Sequence, residues 1–254
     1  MNPQNWELTQ ELFTTAGSET DQIAVKISHR IIQLFSEGLY SSPNKAVEEL
    51  VSNSFDAGAQ NVHIILSPDL RDPDATIVVI DDGEGMDADG LKQHWIIGKS
   101  MRRRNSGSQR RKPIGKFGIG KLSTYVLASK LTHICKSGDS FYAATMDYGN
   151  LAGSSEDAVF GEQTIRIPLR TLTRKEAQDV LQPWINGTKE GYQVLNLFGD
   201  SAPVSWTVAV MSGLKKMGKE VKVGRLTWVL RTAMPQRSDF RLFLDGNAII
   251  PPEL

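Results

Sequence analysis

The chain has 254 residues, of which 40% are hydrophobic and 23% charged, an ordinary composition for a globular protein with a sizeable core. Basic and acidic residues number 29 each, which excludes a chain that binds nucleic acid through its overall charge. No apolar run is long enough to cross a bilayer. The single cysteine, Cys135, excludes an internal disulfide framework and favours a cytoplasmic location. One Cys and four scattered His residues also form no spaced zinc site.

The first part of the chain predicts an arm, two helices and two strands. Residues 1–20 are polar and predict an N-terminal arm. Helical spacing predicts a first helix from Asp21 to Gly38, with apolar positions at Ile23, Ile27, Ile31 and Leu34. The elements predicted next are a helix over Pro43–Ala57, strands over Val62–Leu66 and Thr76–Ile80, and a short helix through Leu91 and Trp95.

The second part of the chain predicts mainly strands. Residues 98–114 have loop composition, and a helix is expected over 119–129. The later predicted elements are strands over Leu131–Cys135, Phe141–Asp147, Gln163–Pro168 and Trp206–Met211, a helix over Arg174–Trp184, and a strand, a turn and a strand fragment over Arg241–Ile250. This order lacks strict βαβ alternation and predicts an α+β sandwich, with helices on one face of a mixed sheet.

The division into domains follows from these elements. Residues 21–215 are predicted to form one domain, and residues 216–254 an extension that begins a following domain. The chain stops directly after Pro251 and Pro252, which predicts that it is cut from a longer protein.

Three polar side chains recur along one flank of the helix predicted over Pro43–Ala57. Glu49, Asn53 and Asp56 fall within roughly 60° of one another around the helix axis. An amide oxygen is a suitable Mg²⁺ ligand, and a carboxylate can accept a proton from an attacking water. The alternative is a solvent-facing polar stripe on an amphipathic helix.

A short apolar strand ends in an acidic, glycine-rich turn. Asp81 stands at the mouth of this strand, where it can accept a hydrogen bond from a ligand amine. Gly83 and Gly85 allow a close approach of backbone and ligand, and Met86 follows them. A calcium loop is excluded because the twelfth position from Asp81 is Lys92, where such a loop needs a glutamate.

A second glycine-rich segment, residues 115–121, precedes the helix predicted over 119–129. Backbone N–H groups at such a position bind phosphate readily. The glycine order is the reverse of the dinucleotide-binding fingerprint, and the P-loop pattern fails because Leu122 stands where it needs Ser or Thr. A glycine loop that serves packing alone remains open.

A basic run connects the two glycine-rich segments. From Lys99 to Lys121 there are nine Lys or Arg residues and no acid. A solvated surface loop is the simplest interpretation. The position of the run beside the glycine loop also suggests a phosphate or nucleic-acid contact.

Together, the order E-x-x-x-N-x-x-D-A, D-x-G-x-G-M and G-x-x-G-x-G resembles the gyrase, heat-shock chaperone, histidine kinase and MutL superfamily, most closely its chaperone-like and MORC-like members. The resemblance implies a Bergerat-type two-layer fold with a long ATP lid, and the cofactors ATP and Mg²⁺. It implies Glu49 as general base, Asn53 as Mg²⁺ ligand, Asp56 as support for the adenine end, and Asp81 as acceptor of the adenine amino group. The other ATP contacts it implies are Gly83, Gly85, Met86, Lys99, Ser100, Gly115, Lys116, Phe117, Gly118, Ile119, Gly120 and Lys121.

The resemblance is incomplete on a late strand. The superfamily often has a Gly-Thr pair there, and the candidates in this chain are Thr207, which we prefer, and Thr164. The resemblance implies ATP hydrolysis coupled to lid closure and homodimerisation, slow in the isolated domain, with no membrane partner. The alternatives are a histidine kinase catalytic domain, which generally lacks a glutamate at position 49, and a non-hydrolysing module whose basic lid contacts nucleic acid.

Overall fold

The computed structural model describes residues 13, 15–28, 42–95, 120–148, 162–185, 195–235 and 237–250. Its strands are β1 (Ser18–Ser28), β2 (Asn61–Leu66), β3 (Ile77–Asp81), β4 (Ala128–Ser137), β5 (Ser140–Asp147), β6 (Glu162–Leu172), β7 (Ser205–Leu214), β8 (Arg241–Leu244) and β9 (Asn247–Ala248). Its helices are α1 (Pro43–Asp56), α2 (Ala88–His94), a 3₁₀ helix (Gly120–Val126), α3 (Arg174–Ile185), α4 (Lys216–Lys219) and α5 (Val223–Ala233).

The nine described strands form one mixed sheet. Their order across the sheet is β1-β6-β5-β4-β7-β3-β2-β8-β9. Neighbouring strands pair antiparallel, except that β2 and β8 pair parallel. The predicted α+β class with a mixed sheet is confirmed.

Helix α1 forms where its sequence predicts it. Pro43 occupies the first turn, where its missing N–H costs no helical hydrogen bond. Val47 and Val51 are fully buried on the face turned toward the sheet. Gly58 follows the helix with φ of +77°, a left-handed conformation that glycine adopts without strain and that ends the helix. Because the opposite face of α1 is buried against the sheet, Glu49 and Asn53 lie on its less buried side.

Alternate strand residues face two separate cores. On the face that we call the first face, α1, α2, α5 and the 3₁₀ helix pack over residues such as Val79 and Met211. On the opposite, second face, α3 packs over residues such as Val78 and Val210. The sequence predicted helices on one face only, and the structure adds α3 on the other, because the two faces of β3 and β7 are both apolar and both need covering.

The helix predicted over 21–38 is wrong for its described part, since residues 18–28 form β1. Ile23 and Val25 are buried while Ala24 between them is exposed, an alternation of period two. Ile23 lies opposite Ile167 of β6, and Val25 lies opposite Ile165. β-branched residues fit this half-buried strand well, so the pairing with β6 overrides the helical spacing. Residues 29–38 lie outside the described part of the chain.

The helix predicted over 119–129 is also wrong. Residues 120–126 form a 3₁₀ helix, and β4 begins at Ala128. Ser123 and Thr124 are fully buried there, and their hydroxyls make hydrogen bonds in place of an apolar helical face. From Ala128 the chain pairs with Leu214 of β7, which ends the helical path.

The ends of the described chain pack into the same body. Phe13, in the predicted arm, is buried and stacks on Trp184, with ring centroids 5.8 Å apart. Leu226 and Leu230 of α5 belong to the core of the first face. β8 pairs with β2 within the sheet. No helix of the described residues is long and apolar enough to cross a membrane.

Candidate nucleotide-binding site

Asp81 lies buried at the end of β3, beneath the C-terminal half of α1. Only 5% of its surface is exposed. One carboxylate oxygen accepts a hydrogen bond from the Ser54 hydroxyl at 2.8 Å, and the other accepts one from the Gly83 N–H at 2.9 Å. These donors orient the carboxylate and satisfy part of its hydrogen-bonding capacity, which makes its burial tolerable.

The neighbouring Asp82 has a structural role instead. Its Oδ1 accepts hydrogen bonds from the backbone N–H groups of Gln60 and Asn61, at 2.7 and 2.8 Å. Its Oδ2 accepts one from the Asn61 side-chain amide at 2.6 Å. Asp82 therefore fixes the connection between α1 and β2, while Asp81 points toward the first face under α1.

Ser54 belongs to the site, although the sequence did not single it out. It follows Asn53 directly but is 3% exposed, and its hydroxyl also donates to the Leu50 carbonyl at 3.2 Å. A hydroxyl on the apolar flank of an amphipathic helix is the signal that could have identified it. Its partner, Asp81, is 27 residues away in sequence and appears only in the fold.

The turn after Asp81 is packed so closely that it requires glycine. A Cβ on Gly83 would lie 2.9 Å from the Ala57 carbonyl oxygen. Gly85 has φ of +62°, and a Cβ there would lie 2.2 Å from the carbonyl oxygen of Lys136. The Ser205 hydroxyl donates to the Gly83 carbonyl at 2.7 Å, and this contact ties the turn to the start of β7. Met86, at the end of the turn, is 9% exposed.

Thr207 stands next to Asp81 in the sheet. It is the residue directly opposite Asp81 on β7, and Cys135 of β4 is directly opposite Thr207. Cross-strand partners project to the same face, so all three lie on the first face. Burial raises the pKa of the Cys135 thiol well above its ordinary value. Thr164, the other candidate threonine, lies on β6, which β5, β4 and β7 separate from β3.

Glu49 is half-buried one helical turn before Asn53, whose side chain is exposed. Burial raises the pKa of the Glu49 carboxyl above its ordinary value. The Lys45 ammonium opposes this rise, and the carboxylates of Glu48 and Asp56 add to it. Glu48 differs from Glu49, because it is 8% exposed and forms an ion pair with Lys45. A half-buried carboxylate with a raised pKa suits a general base better than an exposed one does.

The segment after the predicted glycine loop packs against the N-terminal half of α1. The Ser123 hydroxyl of the 3₁₀ helix donates to the Ala46 carbonyl at 3.5 Å. Gly120 and Lys121 begin this helix. The other predicted contacts in the basic run and the glycine loop lie outside the described residues: Lys99, Ser100, Gly115, Lys116, Phe117, Gly118 and Ile119.

The donor groups on α1 fit a magnesium ion. Asn53 offers an exposed amide oxygen beside the Glu49 carboxylate. Mg²⁺ keeps several waters and needs only one or two protein ligands when phosphates supply the rest. The described residues contain no cluster of three or more His, Cys, Asp or Glu residues that could hold a metal ion.

Comparison with known proteins identifies the domain. Residues 40–178, which are 139 of the 254 residues, match the family model described as histidine kinase-, DNA gyrase B- and HSP90-like ATPase. No curated protein matches the chain significantly. The matched range contains α1, the Asp81 turn and the start of the 3₁₀ helix, which form the site described above. The chain therefore belongs to the histidine kinase-, DNA gyrase B- and HSP90-like ATPase family and carries its ATP-binding domain.

Proposed function

We propose that this domain binds Mg-ATP along α1, with the adenine at Asp81 and the phosphates toward Glu49, and that it hydrolyses the nucleotide. The main support for the proposal is that the two ends of α1 contact different parts of the candidate site. Ser54, which contacts Asp81, and Glu49 are five residues apart, about 7.5 Å along the helix axis. The 3₁₀ helix that follows the glycine loop contacts Ala46, one turn before Glu49. The base-binding and phosphate-binding ends of the site would therefore lie at opposite ends of one helix.

At the adenine end, Asp81 would accept the adenine amino group. Its fixed orientation, from Ser54 and Gly83, favours this contact because no reorganisation is needed on binding. Gly83, Gly85 and Met86 would line the base, with Thr207 beside Asp81 and Asp56 as support.

At the phosphate end, Glu49 would act as general base. It would take a proton from the water that attacks the γ-phosphorus, while the bond to the β,γ-bridging oxygen breaks and ADP leaves. Asn53 would hold Mg²⁺, which neutralises phosphate charge when it is bound. Gly115 to Lys121 would bind the phosphates, and Lys99 and Ser100 would begin the lid.

The presence of Glu49 favours hydrolysis over the two alternatives. A histidine kinase transfers the γ-phosphoryl group to a histidine and needs no base for water. A non-hydrolysing module has no need of a carboxylate held half-buried at the phosphate end. We further propose that ATP closes the lid and promotes homodimerisation in a chaperone-like or MORC-like cytoplasmic protein. The isolated domain would hydrolyse ATP slowly, because its set of catalytic groups would be complete only after lid closure and dimerisation.

Replacement of Glu49 tests the proposed base. Glu49→Gln removes the proton acceptor but keeps the size and hydrogen-bonding capacity of the side chain. We expect Mg-ATP affinity within about threefold of wild type and a loss of turnover of about 10²-fold or more. Calorimetric titration measures the affinity, and phosphate release measures the turnover.

The adjacent Glu48→Gln is the matched control, because it is the same change one residue away, on a carboxylate paired with Lys45. We expect it to keep turnover within about threefold of wild type. Equal turnover in Glu49→Gln and wild type would remove Glu49 as the base.

A further inference from the structure

A concave surface lies away from Asp81, the predicted adenine contact. It is a cavity of about 680 Å³ at the end of β7, lined by Arg71, Leu214, Lys216, Lys219, Glu220, Val221 and Lys222. Four of these seven residues are cationic and one is acidic. We refer to Arg71, Lys216, Lys219 and Lys222 as the basic cluster.

Strand register separates the basic cluster from Asp81. Thr207 is opposite Asp81 on β7, and Met211 is opposite Ile77 further along the same pair of strands. Leu214 is seven residues beyond Thr207, about 23 Å along the strand. The cavity therefore lies at the opposite end of β7 from Asp81.

Within the described part of the chain, the basic cluster is accompanied at the cavity by one carboxylate, that of Glu220. None of its four members forms an ion pair there. Other surface cations do pair with acids, as Lys92 with Asp21, Lys175 with Asp179, and Arg237 with Asp239. Like charges held around one cavity repel each other, so a bound anion would be favourable.

Lys215, directly before Lys216 in sequence, does not belong to the basic cluster, because its side chain makes contacts within the fold. Its ammonium donates to the Tyr125 carbonyl at 2.7 Å and lies 3.5 Å from the centroid of the Tyr125 ring. Burial lowers the pKa of Lys215. This lysine supports the fold from within, whereas Lys216 is exposed at the cavity.

An exposed aromatic side chain continues the surface along α5. Trp228 is 54% exposed, and the Arg225 guanidinium carbon lies 4.7 Å from its ring centroid. Lys222, Arg225 and Trp228 follow one another at three-residue spacing, so they form a stripe that starts at the cavity and runs along the helix. An exposed aromatic ring beside cations provides the two groups that a single strand uses for binding, a stacking surface for a base and positive charge for its phosphates.

We propose that the basic cluster and the Arg225–Trp228 stripe bind single-stranded nucleic acid. A chain of phosphates would follow the cations, and a base would stack on Trp228, as in strand-binding proteins that read no sequence. An anionic membrane is less favoured, because Leu226 and Leu230 of α5 pack into the core and leave no broad apolar face for insertion. None of the proposed binding residues belongs to the basic run from Lys99 to Lys121, which includes Arg102, Arg103 and Arg104 and for which the sequence also suggests a nucleic-acid contact.

The test is binding of an oligodeoxythymidine of about 20 nucleotides to the 254-residue chain, measured by fluorescence anisotropy between about 50 and 200 mM salt. Lys216→Ala, Lys219→Ala and Lys222→Ala combined should weaken binding at least about tenfold. They should also reduce the slope of log affinity against log salt by about 2, since each phosphate contact on a single strand contributes about 0.7. Trp228→Ala should weaken binding about tenfold with the slope unchanged, and Trp228→Phe should restore most of it.

The matched control is Lys92→Ala, Lys175→Ala and Arg237→Ala combined, which removes the same charge from ion-paired sites elsewhere. We expect it to bind as wild type does, and all variants to keep the wild-type thermal midpoint within a few degrees. The proposal is overturned by absent wild-type binding, by equal loss in this control, or by loss only when Arg102–Arg104 are changed. The proposal is also overturned if the chain binds duplex DNA as tightly as the single strand and Trp228→Ala changes neither affinity. Binding to anionic vesicles without binding to the oligonucleotide overturns it as well.

Discussion

The two faces of the sheet differ in what they bury. The first face buries polar groups under its helices, and Asp81, Ser54 and Cys135 are almost inaccessible there. The second face, under α3, buries aromatic rings, with Trp184 and Trp206 at its centre. The first face also has a large apolar core, which includes Trp95 and Tyr148, so its polar groups are buried within extensive apolar packing. The second face packs on the opposite side of the shared strands β3 and β7.

The rings of the second face also satisfy their own polar atoms. The Trp184 indole N–H donates to the Thr76 hydroxyl at 3.2 Å, and the Trp206 indole N–H donates to the Leu197 carbonyl at 3.1 Å. Phe141 packs near Trp206, with ring centroids 6.0 Å apart. No group in this set requires a ligand to complete it, so we expect changes here to affect stability and leave nucleotide affinity unchanged.

The largest effect that separates the two faces is expected at Trp206. Trp206→Ala removes a fully buried ring and should lower the free energy of unfolding by about 3–5 kcal/mol. The ATP affinity of the folded fraction should stay at the wild-type value. Urea denaturation measures the first quantity and calorimetric titration the second. The exposed Trp228→Ala is the control and should change stability by less than about 0.5 kcal/mol; equal losses in the two variants would contradict this account of the second face.

Gly85 in the Asp81 turn should give the next largest effect. Gly85→Ala combines a positive φ with a Cβ placed on the Lys136 carbonyl, so the turn must shift, at a cost of about 3 kcal/mol. We expect lower stability together with weaker ATP binding. Gly138→Ala is the matched control, since Gly138 has φ of +60° but nothing within 4 Å of an added Cβ. It should cost only about 1 kcal/mol and leave ATP binding unchanged. Similar ATP affinities in the two variants would mean that the turn is not part of the site.

His63 gives a smaller, pH-dependent effect. It alternates with residues of the first face on β2 and therefore lies on the second face, stacked on Phe243 at 4.4 Å. Burial lowers the pKa of His63 to about 4, with a smaller opposing effect from Asp82 and a reinforcing one from Arg241. The unfolded chain, with a pKa near 6.5, takes up the proton first as pH falls. Stability is therefore lost between about pH 6.5 and pH 4, and His63 should contribute about 2 kcal/mol of this loss.

His63→Leu removes the titrating group while keeping an apolar side chain against Phe243. Urea denaturation at about pH 7 and pH 4.5 should show a smaller loss of stability on acidification in this variant than in wild type. Parallel pH profiles would show that His63 does not titrate with folding.

Much of the fold could be predicted from local patterns. Helix α1 has a proline in its first turn and a glycine after its end, and the apolar run over residues 77–80 of β3 predicts a buried strand. β1 was not predicted, because Ile23 and Ile27 fit both a helical and an alternating pattern. Only the pairing with β6, about 140 residues away, decides between them. Helix α5 was missed as well, since Gly224 and β-branched residues disfavour a helix that packing in the core stabilises.

The candidate site could be predicted to a similar extent. Motif spacing identified Glu49, Asn53 and Asp81 as candidates, and the fold brings the elements that carry them together, although their roles stay predictions. The preference for Thr207 over Thr164 has support in the strand order, which no sequence pattern contains. Ser54 was missed because its importance depends on a contact with a distant strand.

The most direct test of the account is Mg-ATP titration of two neighbouring aspartate variants. Asp81→Asn changes the carboxylate that faces α1, and Asp82→Asn changes the one that holds the connection between α1 and β2. We predict that Asp81→Asn weakens ATP binding by about 100-fold or more, because the amide cannot accept from both its partners and the adenine amino group. Asp82→Asn should lower stability and keep the wild-type affinity. Wild-type affinity in a folded Asp81→Asn variant would contradict the assignment of the nucleotide site to the first face.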